Sequence, residues 1–66
     1  MGKLLDYKNL VDQKTQALGK DQFKIRGQIG LRCGLMLTSI DAQTPDNPND
    51  VQALKTAIKE ILGIDV

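Results

Sequence analysis

The chain has no histidine, no tryptophan, a single cysteine and only two aromatic residues, Tyr7 and Phe23. Each shortage removes a class of function. Without histidine, neither a Ser-His-Asp nor a Cys-His catalytic arrangement can be assembled within one chain, and the commonest metal ligand is missing. The lone Cys33 leaves no intrachain disulfide. One thiol in an apolar stretch fits a reducing, cytoplasmic location. So few aromatics give no stacking platform for single-stranded nucleic acid. No apolar run reaches the roughly 18 residues of a membrane span. The start, Gly2-Lys3-Leu4-Leu5-Asp6, has neither the apolar core of a signal peptide nor the Ser/Thr expected for myristoylation. A net charge of +1 argues against a strong non-specific polyanion binder.

What is present points to one small domain spanning residues 1–66. A domain of this size buries only about 60% of its unfolded surface, and small scaffolds usually add a disulfide, a metal or a second subunit. With the first two lacking in composition, the expectation is a homo-oligomer, a dimer first. Residues 3–18 carry apolar positions at Leu4, Tyr7, Val11 and Leu18, with Lys14 where a fifth would fall. This is the seam of an amphipathic helix, closed by Gly19. Residues 48–62 repeat the pattern with Val51, Leu54, Ile58, Ile61 and Leu62. Asn47 and Pro48 supply an N-cap and a first helical position, Asp50 lies in the first turn, and Gly63 ends the helix. The connection 41–50 holds both prolines and three aspartates, so it cannot be continuous helix.

The segment from Phe23 to Ile40 fits two periods. At period 2, Phe23, Ile25, Ile29 and Leu31 alternate with Lys24, Arg26, Gln28 and Arg32, as a strand would. At about 100° per residue, Ile25, Ile29, Cys33, Met36, Leu37 and Ile40 share one face. Phe23, Gly27, Gly30 and Gly34 then form a stripe at its edge. Length favours the helix. Eighteen residues make about 27 Å of helix, whereas strands usually run 5–6 residues, and no Asn-Gly or Asp-Gly turn is available for a hairpin. Asp21 is an acceptable N-cap. The predicted fold is therefore all-α, a three-helix domain with helices near 3–18, 22–40 and 48–62, forming an oligomeric bundle. An α-β-β-α arrangement is the alternative.

Three glycines inside a helix cost about 1 kcal/mol each against alanine, so their alignment reads as a track along which a neighbouring helix approaches closely. The predicted contact surface comprises Ile25, Gly27, Ile29, Gly30 and Cys33 together with Gly34, Met36, Leu37 and Ile40. The glycines match neither GxGxxG nor a P-loop, and the loop carboxylates lack EF-hand spacing. Those carboxylates read as turn and capping residues, and no metal or cofactor is expected. Arg26 interrupts the apolar sector. Its stem can snorkel to solvent; if buried, it needs a carboxylate partner or an anionic ligand.

The expected function is non-enzymatic: a cytoplasmic helical interaction module that self-associates and engages a partner protein, with no membrane contact. Lys24, Arg26 and Arg32 leave open two alternatives, a small nucleic-acid-binding regulator of helix-turn-helix type and an anionic small-ligand site at a subunit boundary.

Overall fold

The computed structural model describes residues 2–17, Gly19 and residues 21–66. The expected seam position Leu18 and the cation Lys20 lie outside the described residues. Among the described residues there are three helices, α1 (Lys3–Ala17), α2 (Gln22–Cys33) and α3 (Pro48–Leu62), with one 3-10 turn at Leu37–Ser39. Among the described residues there is no strand, so the α-β-β-α alternative is set aside. Among the described residues, no helix is long and apolar enough to cross a membrane.

Each helix starts where a side-chain oxygen replaces the carbonyls its first amides lack. Asp21 accepts from the backbone N–H of Phe23 and Lys24 to open α2. Asn47 accepts from Asn49 N–H to open α3, with Pro48 following. α1 is capped from far along the chain. Asp46 accepts from Lys3 N–H at 2.8 Å and from Leu4 N–H at 3.1 Å. The acidic connection thus does the turn and capping work its composition predicts. Asp41 accepts from Gln43 N–H within the same connection.

α2 is shorter than its periodicity predicts. It ends at Cys33 rather than continuing to Ile40, because Gly34 takes the left-handed conformation at φ 72°. Gly34 N–H and Leu35 N–H both donate to the Gly30 carbonyl, at 2.8 and 3.2 Å, the closure of a helix C-terminus. The reversal brings the Leu35 carbonyl oxygen to 2.5 Å from where a Cβ on residue 30 would stand. Only glycine fits at that position. Two of the three aligned glycines are therefore accounted for within the chain: Gly34 turns it and Gly30 makes room for the turn.

Beyond the reversal, the 3-10 turn carries Leu37 and Ile40 back under α2. They join Leu4 and Val11 of α1, Ile29 of α2, and Leu54, Ala57 and Ile58 of α3 in one core. α2 packs on both other helices. Among the described residues, Thr15 is the buried polar member. Its hydroxyl donates to the Val11 carbonyl at 2.8 Å, which removes the cost of burying it unpaired. Ile64 and Val66 pack against the core from beyond α3.

Candidate interaction surface

The outer face of α2 is left uncovered by this packing. Phe23, Leu31 and Met36 are 79%, 88% and 71% exposed. They border an open groove of about 580 Å³ whose floor includes Gly27, Gly30 and Gly34. The sequence places this face on α2 for a simple reason. Ile29, fully buried, is two residues from Gly27 and thus about 200° around the helix, so burying one side turns the other outward. A Cβ at Gly27 would meet nothing within 4 Å. Contiguous exposed apolar patches mark interaction sites, ligand grooves or aggregation-prone surfaces.

The predicted contact residues divide between this face and the core. Gly27, Gly34 and Met36 are exposed, with Gly30 half-buried beside them. Ile29, Leu37 and Ile40 are buried inside the chain and cannot touch a partner while the domain is folded. Ile25 and Cys33 are half-buried against the core. Phe23 and Leu31 escaped the predicted contact set although they belong to it by exposure. The signal was available, because 23, 27 and 31 are successive i+4 positions of one helix and lie on one side.

Cys33 reads as structural. Burial pushes its thiol above the ordinary cysteine range, against smaller contrary contributions from the Leu35 and Cys33 backbone amides. A raised thiol is a poor nucleophile at neutral pH. Asp46 shifts the other way. The N–H groups of Leu4 and Lys3 hold its carboxylate below the usual range, with the Lys3 charge contributing less.

The three candidate anion-binding cations do not converge. Arg26 is half-buried and lies 3.4 Å from Asp12 on α1, with Nε donating to the Gln22 carbonyl at 3.3 Å. Its carboxylate partner is thus within the chain. The Asp12 carboxylate also faces Lys8 at 3.3 Å. Arg26 Nε is within ion-pair distance of Asp12 Oδ1, yet that buried oxygen accepts no hydrogen bond, so the contact is electrostatic attraction without hydrogen-bond geometry. Arg32 pairs with Glu60 on α3. The two arginines face different neighbours, and Lys24 is exposed on its own. Among the described residues, no group of three or more His, Cys, Asp or Glu side chains is arranged to hold a metal ion.

Compared with known proteins, the chain matches no family model, no curated protein and no solved structure.

Proposed function

We propose that this chain is a non-enzymatic, cytoplasmic helical interaction module that self-associates through the outer face of α2 and engages a partner protein. The observation that carries the reading is the exposed apolar trio Phe23, Leu31 and Met36 bordering a glycine-floored groove. Burying such side chains is favourable by about 1.5–3 kcal/mol each, and a chain of this size gains most from a second subunit. The lack of histidine and the structural setting of Cys33 favour a binding role over catalysis. That lone, half-buried thiol also suits a reducing compartment.

The nucleic-acid and anionic-ligand readings gain no support, because Arg26 and Arg32 already have carboxylate partners on different helices. Sedimentation equilibrium from micromolar to millimolar concentration tests the main reading. Concentration-dependent association that Leu31→Lys weakens while the circular dichroism stays helical is the expected result. A monomer throughout the range would refute self-association.

A further inference from the structure

The groove also carries the identity and orientation of its occupant. We propose that a second copy of this chain docks antiparallel on α2, its twofold axis passing at Gly27, so that Gly27 backs onto Gly27 of the second copy and Phe23 packs on the second copy's Leu31. The inference rests on the self-association proposed above and specifies its geometry.

The spacing of the exposed residues is the first argument. Phe23, Gly27 and Leu31 are four residues apart in each direction, so the row reads large–small–large from either end. A twofold contact uses the same patch on both subunits, and this row is complementary to itself when reversed. Rows at i±4 interdigitate at a crossing of about −50°. Two helices crossing at that angle are nearest at one point and diverge beyond it. A residue without a side chain belongs at the near point and bulky residues four positions away fill the widening gap. Gly27 is the glycine suited to the near point. Its Cβ direction is open, whereas Gly30 is occupied by the Leu35 carbonyl. Among the described residues, nothing inside the chain therefore accounts for Gly27.

Charge selects the direction. α2 carries Lys24, Arg26 and Arg32 and no acidic residue. In a parallel pair Lys24, which flanks the Gly27 row, would lie beside its own copy, and like charges across an interface are penalised. Reversed about Gly27, Lys24 lies across from Gly30 of the second copy, while Arg26 and Arg32 stay turned toward Asp12 of α1 and Glu60 of α3. No cation then opposes another, and the two helix dipoles run antiparallel.

Size sets the strength. A standard stable interface buries about 800 Å² per partner, and one face of a 12-residue helix offers less, so the dimer dissociates on dilution.

Two measurements test the geometry. Gly27→Leu should leave the helical circular dichroism and cooperative unfolding of the monomer intact, yet raise the dimer dissociation constant more than tenfold by sedimentation equilibrium. In a Cys33→Ser background, Phe23→Cys mixed with Leu31→Cys and oxidised with copper phenanthroline should give a cross-linked dimer containing both variants, while each variant alone gives little. Dimerisation that survives Gly27→Leu, or cross-linking of Phe23→Cys to itself, overturns this geometry and leaves self-association standing. A wild-type chain that stays monomeric at millimolar concentration overturns both. A monomer that instead sediments with phosphatidylserine vesicles assigns the face to a lipid surface, and also overturns the second copy as occupant.

Discussion

Alanine at two glycines of the same helix should act in opposite directions. Gly27 and Gly30 both lie inside α2. Replacing a helix-interior glycine by alanine is worth up to about 1 kcal/mol in its favour, partly because the unfolded chain loses freedom. At residue 27 nothing lies within 4 Å of the added Cβ, so Gly27→Ala should realise most of that gain. For a domain of this size about 1 kcal/mol corresponds to a rise of roughly 4–8 °C in Tm. At residue 30 the added Cβ would stand 2.5 Å from the Leu35 carbonyl oxygen. That atom is backbone, fixed by the reversal in which Gly34 and Leu35 both bond back to Gly30. It cannot swing aside as a side-chain tip would. Overpacking of this kind costs about 1–3 kcal/mol, which outweighs the propensity gain, and moving the reversal also disturbs Leu37 in the core. Gly30→Ala should therefore lower Tm by several degrees. The assay is thermal unfolding by circular dichroism at a concentration low enough to keep both variants monomeric. A Gly30→Ala protein as stable as Gly27→Ala would refute the reversal as the reason for glycine at residue 30.

Three further outcomes are expected. Asp46→Asn should lower stability at neutral pH, because the carboxylate bonds the first amides of α1. Since the folded state holds the Asp46 carboxyl below its ordinary range, that advantage is present above the unfolded value of about 3.9 and is lost as pH falls through the lower folded value. The gap between wild type and variant should therefore close on acidification below about pH 4; a gap independent of pH in denaturant titrations would contradict the cap. Cys33 should react with iodoacetamide at pH 8 more slowly in the folded protein than in urea, and equal rates would show that its burial has no consequence. Arg26→Met, which keeps the stem and removes the charge, should destabilise by about 1 kcal/mol through loss of the half-buried pair with Asp12. An Asp12→Asn/Arg26→Met double variant that loses the sum of the two single effects would show the pair to be uncoupled.

α3 was fully legible because its signals agree. The apolar period, the Asn47 cap, Pro48 at the start and Gly63 at the end all delimit one helix, and the structure bounds it at Pro48–Leu62. α2 shows how such signals conflict. Apolar residues continue at helical spacing through Leu37 and Ile40 and suggest continuation, while Gly34 permits a stop. Geometry lets the stop win without exposing those residues, since a 3-10 turn returns them to the same core. Read as part of a smooth track, Gly34 concealed the reversal it creates. In α1 the apolar seam suggested a core position at Lys14, but Thr15 is the buried residue, and its hydroxyl bonds back into its own helix. That local solution leaves no mark in a hydropathy pattern. Ala57 is also buried in the core, at a position the apolar seam of α3 did not include.

The contact face was half visible. Its glycines stood out because they are costly in a helix, but in the pattern Phe23 showed only as the end of their stripe and Leu31 only as part of the strand-like alternation. Deciding which side faces inward requires α1 and α3 to be in place. The partners of the cations were hidden for the same reason. Asp12 and Glu60 lie on other helices, and no local pattern links them to Arg26 and Arg32.

The neighbouring residues Asp46 and Asn47 fasten the beginnings of two different helices, one more than forty positions away and one adjacent. A single short knot of chain therefore governs both starts. Fraying of α1 at Leu4 releases Asp46, the residue beside the α3 cap, so these ends should breathe together. The amide protons of Leu4 and Asn49 should then exchange with solvent at matched, jointly slowed rates, and loss of the Asp46 carboxylate should speed both.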